Sequence, residues 1–330
     1  MMKEYYLNDH KLPLVIEPTK SMTFDALCTY IASNRQEIAG KLLKHAGILL
    51  RGFPIADADC FNAIIAVLNL GKPLNYIGGD SPRDKIKGTV YTSTEAPPKI
   101  KIPLHNEMSF IKHYPRHIYF YCETPAATGG ATILGDAREI YRKVSSKIRT
   151  TFEKLGLRYI SNYYKQDILL DLVNSFARAH KKWTEVFETE DKKEVEQMCR
   201  EQEFAHQWRR DWIQITQERP AVIHHETTQE MIWFNQAHLY DYNPKLVGFW
   251  NYIGTKLLYA RPHTVMHEIT YGDHTPIARR DLYEIMETLD ACTIQYPWQR
   301  HDMLILDNVL AMHGRAPFMG KRKILTSLTR

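Results

Sequence analysis

The sequence predicts a β-rich domain of mixed α and β class with helices packed outside it, and three observations lead there. Short β-prone runs stand in both halves of the chain, at 48–53, 117–122, 221–223, 231–234, 291–296, 303–306 and 323–327. Segments with apolar residues at 3.6-residue spacing fall between them and read as helices. No repeat, low-complexity tract or linker divides the 330 residues, so strands on both sides of a helical insert are assigned to one domain, 1–330.

Residues 23–46 carry Leu27, Ile31, Ile38, Leu42 and Leu43 at helical spacing, with Gly47 as the expected C-cap. Ile48-Leu49-Leu50-Arg51-Gly52-Phe53-Pro54 reads as a buried strand ended by Gly and Pro. A second helix is expected over 59–70. Residues 71–104 are rich in Gly, Pro and Ser, with a β-like piece at 88–93, and so long a loop is usually functional. The run 117–122 is strongly β-prone, and Asp136 to Glu139 form a capping-box pattern opening a helix over 139–155. A charged, amphipathic helical insert is expected over about 166–216, with strands resuming from Pro220.

At 44% hydrophobic, the chain can bury a sizeable core. With 43 Lys and Arg against 38 Asp and Glu, the net charge of +5 is too even for a nucleic-acid binder. The basic runs (Arg178, His180, Lys181 and Lys182; His206, Arg209 and Arg210; Lys321 to Lys323) read first as solvated faces. Five scattered cysteines, never in CxxC, read as reduced thiols of a cytoplasmic protein, not as a disulfide framework or zinc site. Residues 1–18 lack an apolar signal core, and no run approaches the roughly 20 apolar residues of a membrane span. A soluble chain that stays where it was made, with no membrane partner, is expected.

Non-haem Fe(II) oxygenases need two histidines and one carboxylate on one face of the ion, with the other positions open for cosubstrate and oxygen. On an extended strand, residues i and i+2 project to the same side. His105-Asn106-Glu107 can therefore present an imidazole and a carboxylate to one ion while Asn106 points away. The triplet alone is a weak signal, because His224-His225-Glu226 repeats it. Company decides between them. Thr132 stands 27 residues after His105, inside Thr128-Gly129-Gly130-Ala131-Thr132. Near the C-terminus comes Leu306-Asp307-Asn308-Val309-Leu310-Ala311-Met312-His313-Gly314-Arg315, with Arg322 nine residues beyond His313.

Here the chain resembles the taurine dioxygenase (TauD/TfdA) family of 2-oxoglutarate oxygenases, from 47–52 to its end. It is most similar to the branch around the syringomycin-pathway aspartyl hydroxylase. The shared motifs are Gly78-Gly79-Asp80-Ser81-Pro82-Arg83, Ser93-Thr94-Glu95, Leu104 to Met108, Trp233 to Gln236, Tyr271-Gly272-Asp273 and His313 to Arg315. The rival triplet has no such company and is set aside.

The resemblance implies a double-stranded β-helix, a jelly roll of the clavaminate synthase-like kind, with flanking helices and the insert. It implies Fe(II), 2-oxoglutarate and dioxygen, with His105, Glu107 and His313 as the metal triad and Thr132 and Arg322 as cosubstrate anchors. A guanidinium suits that last role, since it binds a carboxylate bidentately. The implied reaction is hydroxylation of an unactivated C–H, coupled to oxidative decarboxylation of 2-oxoglutarate to succinate. Related halogenases carry a small apolar residue where Glu107 stands, so the carboxylate favours hydroxylation. Desaturation uses the same centre and is the alternative outcome, a non-catalytic jelly-roll sensor of metal or metabolite is the alternative class, and a zinc hydrolase lacks a recognisable base.

In the nearest branch the substrate is an amino acid, often tethered to a peptidyl carrier protein, an acidic partner that the basic runs would suit. Asn75, Ser93, Thr94, Arg209 or Arg210, and Asn235 fall in segments expected to line or cover the pocket, with the insert as a lid. Asn235 and Asp307 are the candidates for orienting the ligands. Two departures from the family stand out. Thr326 occupies the place of the arginine that grips a sulfonate in taurine dioxygenase, which argues against a sulfonate substrate held that way. His301 replaces a turn glycine, so local turn strain is expected.

Overall fold

Period-two alternation along the central strands sorts their side chains between two cores. The computed structural model describes residues 2–74, 85–93, 96–176, 180–261 and 263–330. One sheet orders its strands Met2–Tyr6, Leu14–Pro18, Gly47–Leu50, Met303–Asp307, His117–Thr124, Lys323–Thr329, Val90–Thr92 and Lys85–Lys87. A second sheet runs Ile294–Gln295, Thr132–Asp136, Ala311–Arg315 and Ile102–His105. Leu49, Ile118, Phe120, Leu304 and Leu306 of the first sheet share a core with Leu104, Ile133, Leu134 and Met312 of the second. Their neighbours Ile48, Leu50, Tyr119, Tyr121, Met303 and Ile305 turn the other way, onto Leu27, Ile31, Leu42, Phe61 and Ile64 of the outer helices. Two sheets closed over one core, with helices on an outer face, make the double-stranded β-helix.

The outer helices differ from expectation in their joints. Helix 23–46 is two helices, Phe24–Ser33 and Arg35–His45, because Asn34 leaves the helical region at φ −116° and its amide bonds back to Tyr30 O at 2.7 Å. Ala46, at φ 59°, takes the left-handed cap expected of Gly47. The 139–155 helix likewise divides into Ala137–Lys143, capped by Asp136, and Ser146–Leu155.

The insert departs further. Among its described residues it is helical only through Ile168–Phe176, Trp183–Val186 and Lys192–Glu201. It then forms a hairpin, Ala205–Arg209 with Trp212–Arg219, in a third sheet with Leu157–Tyr164 and His267–Tyr271. Ile213, Ile215 and Gln217 are buried at every second position, a strand period rather than a helical one. Where a strand was expected over 291–296, helix Arg279–Ala291 buries Leu282, Ile285, Met286 and Leu289, leaving only Ile294–Gln295 extended. Among the described residues, no helix is long and apolar enough to cross a membrane. All five cysteines are free thiols.

Candidate metal and cosubstrate site

Strand Ala311–Arg315 lies between Ile102–His105 and Thr132–Asp136, and this order assembles the site. Its pairing sets His313 opposite His105 on one side and Arg315 opposite Thr132 on the other. The register shifts between His313 and Arg315, and a Cβ on Gly314 would sit 2.3 Å from Ile102 O. Only glycine lets the two strands close there.

Strand Ile102–His105 ends at His105, so Glu107 opens a turn rather than continuing the strand as expected. The chemistry survives this change. Ligand atoms of His105, Glu107 and His313 all lie within 4.8 Å of one another, and these are the three residues that the sequence singled out. His313 Nε2 is 3.5 Å from Glu107 Oε2, and the two imidazole centroids are 4.5 Å apart. The three residues are 9, 3 and 5% exposed, in chain order.

Each ligand is oriented from behind. His105 Nδ1 donates to Pro103 O at 2.9 Å, which assigns its proton and leaves Nε2 as a lone-pair donor. Burial, then the adjacent His313 ring, lowers the His105 pKa to about 3, so the imidazole is neutral at pH 7. Asn308 clamps Glu107 by its backbone, accepting from Glu107 N at 2.7 Å and donating to Glu107 O at 2.9 Å. Asn106 points away as expected and donates to Asn308 O at 2.7 Å, while Gln236 Nε2 donates to Asn106 O at 2.5 Å. Asn308 and Gln236 were not singled out in the sequence as functional residues.

The expected orienting residues do other work. Asn235 is fully buried, donating to Ala221 O at 2.9 Å and accepting from Ala237 N at 3.2 Å. Asp307 caps the turn into strand Ala311–Arg315 by accepting from Val309 N at 2.9 Å and Leu310 N at 3.0 Å. Its second oxygen meets His225 Nε2 at 3.2 Å. Burial raises the Asp307 pKa but His225 and the turn amides outweigh it, and the carboxyl sits below its usual range. The rival triplet is thereby explained: His225 is a buried partner of Asp307, and Glu226 pairs with Arg116 at the surface.

A pocket opens beside the histidines. His105, His313, Thr132, Arg322 and Ser93 line it, with Phe120 and Ile102 as apolar wall. Arg322 Nε donates to Gly130 O at 2.9 Å, and its Nη1 lies 3.5 Å from Ser93 Oγ. Burial, together with neighbouring Arg315, lowers Arg322 to about 10, so it stays cationic at neutral pH. No described carboxylate pairs with Arg322, leaving its charge available to an anion. Arg315 spans to the carbonyls of Ala96, Pro97 and Ile100 at 2.7–2.9 Å.

Of the expected substrate contacts, Ser93 is in the pocket. Arg209 is exposed on the hairpin, and its guanidinium reaches Gln207 at 3.2 Å, with Arg210 exposed at the turn. Asn75 and Thr94 lie outside the described residues. Thr326 is fully buried in the first sheet. His301 has φ 72°, the strain expected of a residue in a glycine position.

Two imidazoles and one carboxylate suit a non-haem iron ion, and a buried cation across the pocket suits a dicarboxylate. Fold and site together define an Fe(II)- and 2-oxoglutarate-dependent oxygenase that consumes dioxygen. The family described as "Taurine catabolism dioxygenase TauD, TfdA family" matches residues 8–329, and the chain belongs to that family. It is 29% identical to a clavaminate synthase-like protein of Arabidopsis thaliana, covering 96% of this chain and 93% of the relative. It is 30% identical to the dapdiamide synthesis protein DdaC of Enterobacter agglomerans, covering 87% of this chain and 83% of that protein. Solved structures share the fold at low identity. AAD-2, in complex with Mn(II) and N-oxalylglycine, superposes with TM-score 0.55 at 13% identity, covering 100% of this chain and 96% of that one. A putative α-ketoglutarate-dependent taurine dioxygenase from Burkholderia xenovorans gives 0.54 at 16%, covering 100% and 93%.

Proposed function

We propose that this chain hydroxylates an unactivated C–H of an amino acid or amino-acid derivative, free or tethered to a carrier protein. In this reading His105, Glu107 and His313 hold Fe(II), and Thr132 and Arg322 anchor the distal carboxylate of 2-oxoglutarate. The observation that carries it is the convergence of those three ligand atoms within 4.8 Å, beside a pocket that also holds Thr132 and Arg322. One relative bears a name from the synthesis of dapdiamide, which supports a biosynthetic setting.

When bound, iron and 2-oxoglutarate together supply the oxidising power for C–H cleavage from dioxygen. The protein's own residues do the rest. Neutral His105, its Nδ1 proton committed to Pro103 O, offers Nε2 alone. Glu107 contributes the one anionic ligand, held by Asn308 on both sides of its peptide unit. Arg322 is fixed through Nε to Gly130 O, so its Nη atoms remain for a carboxylate. Phe120 and Ile102 exclude water from one wall of the pocket.

The test is anaerobic Fe(II) and 2-oxoglutarate binding, followed by mass-spectrometric screening of amino acids with and without a carrier protein. Succinate formed in step with a product heavier by one oxygen atom, both lost in His105→Ala, supports the reading. A product lighter by two hydrogens replaces hydroxylation with desaturation. Tight binding of both cofactors with no turnover across the panel overturns the amino-acid assignment.

A further inference from the structure

Trp298 Nε1 lies 3.1 Å from Thr132 Oγ1, with the two residues 9 and 3% exposed. An indole nitrogen can only donate, so this bond occupies an acceptor lone pair of the hydroxyl and leaves the hydroxyl's own proton to point elsewhere. Thr132 lines the pocket, and no other described residue bonds its hydroxyl. A carboxylate in that pocket is acceptor-only and requires a donor. Resting on the proposed role of Thr132 as a cosubstrate anchor, we infer that Trp298 is a positioning residue that commits the Thr132 hydroxyl to donate toward the distal carboxylate of 2-oxoglutarate. Without the indole N–H, the hydroxyl can turn its proton aside and present a lone pair to an anion.

Trp298 is itself fastened on both flanks by one buried ion pair. Arg51 donates through Nε and Nη2 to the two oxygens of Asp302, at 3.1 and 2.7 Å. The same Nη2 donates to Pro297 O at 2.9 Å, and Asp302 Oδ2 accepts from Gln299 N at 2.8 Å. The residues immediately before and after Trp298 are therefore both tied to the pair. The loop is sewn to strand His117–Thr124 through Cys122, whose N donates to Asp302 O at 2.9 Å and whose O accepts from His301 N at 2.7 Å. Tyr296 packs on the indole with ring centroids 5.2 Å apart. The backbone on both sides of Trp298 is thus fixed, and with it the direction of one N–H.

A double-mutant cycle separates the two roles. The readout is the dissociation constant of 2-oxoglutarate, measured calorimetrically on the full chain loaded with Mn(II), with turnover recorded on the Fe(II) form. Trp298→Phe keeps an aromatic ring and removes the N–H; it is expected to weaken 2-oxoglutarate about three- to tenfold, raising KM and leaving kcat nearly unchanged. Thr132→Val is expected to weaken it at least as much, and adding Trp298→Phe to Thr132→Val should cost nothing more. Thr132→Ser, which keeps a hydroxyl, should stay sensitive to Trp298→Phe and shows that the cycle reads the hydroxyl rather than misfolding. Additive losses in the double variant, or unchanged affinity in Trp298→Phe while Thr132→Val binds poorly, overturn the role of Trp298 alone. Normal binding by Thr132→Val overturns the anchor assignment and this inference together.

Discussion

Asn308→Ala tests whether the carboxylate ligand depends on a clamp that touches only its backbone. The side chain is fully buried and makes three hydrogen bonds: from Glu107 N at 2.7 Å, to Glu107 O at 2.9 Å and to Pro115 O at 2.8 Å. Truncation removes all three and leaves a buried amide and two buried carbonyls without these partners. At a net value near 1 kcal/mol each, the loss is about 2–4 kcal/mol of stability. Glu107 also begins a turn in which Met108 sits at φ 52°, a conformation that costs a non-glycine residue about 1–2 kcal/mol and relaxes when its restraint goes. The carboxylate should then wander, and metal affinity should fall about tenfold or more. Competition titration of the metal-free chain reads the affinity, and melting curves with and without metal read the stability. Asn308→Asp supplies the contrast, since it keeps the acceptor for Glu107 N but turns a carboxylate oxygen toward two carbonyls and should fold worse than Ala. Metal affinity unchanged in Asn308→Ala, beside a lower melting temperature, would refute the reasoning and reduce Asn308 to a core hydrogen bond.

Three further outcomes follow from the same geometry. His238 is fully buried and within 3.0 Å of Leu104 O, and burial lowers its pKa to about 4. Between pH 6.5 and 4 the unfolded chain takes up a proton that the folded chain refuses, so stability falls as pH drops through that window, by on the order of 3 kcal/mol. Denaturant titrations at pH 7 and pH 4.5 should show this acid loss shrink in His238→Gln, and an unaltered loss would remove His238 as its source. Desolvation outweighs Arg51 and holds the Asp302 carboxyl above its ordinary range, the mark of a pair whose removal exposes an uncompensated charge. Asp302→Ala should cost about 3–5 kcal/mol in denaturant unfolding, whereas Arg51→Met with Asp302→Leu should recover most of it; equal losses would contradict the charge argument. Arg322→Lys replaces a fork by a point charge that cannot hold Gly130 O and grip a carboxylate together, so 2-oxoglutarate should bind at least about tenfold more weakly, and wild-type affinity would rule out the bidentate grip.

What the sequence disclosed and what it hid divide along the range of the interactions. His105, Glu107, Thr132, His313 and Arg322 stand out because ligands of one centre must recur at spacings that strands and their connections impose. Asn308 and Trp298 carry no such mark. Their partners lie 201 and 166 residues away, and neither an asparagine in a turn nor a tryptophan before a loop shows periodicity. The bonds of Asn235 were hidden for the same reason, since only the closed core shows that both ends of its side-chain amide meet backbone. The hairpin Ala205–Arg209 with Trp212–Arg219 was open to reading. Its apolar residues alternate, but charged neighbours made the stretch resemble an amphipathic helix, and Arg210, at φ 55°, turns the chain without a glycine to announce it.

The two kinds of information meet in the strand Ala311–Arg315. Because side chains alternate, a slip of one residue against Thr132–Asp136 would carry His313 from the pocket into the position of Met312. Polar contacts oppose that slip, through Asp307 at the turn into the strand and Arg315 on the carbonyls of Ala96, Pro97 and Ile100. Met312 opposes it as well, since it belongs to the main core and is fully buried. Gly314 adds a steric condition, because any side chain moved into its place would meet Ile102 O and Pro103 O at under 3 Å. The placing of the metal ligands is therefore enforced by apolar burial, one glycine and the bonds of Asp307 and Arg315, and the ligands themselves are passengers on that register. A substitution that leaves every ligand intact but exchanges the bulk of Met312 for a polar side chain should disperse the site as thoroughly as removing His313.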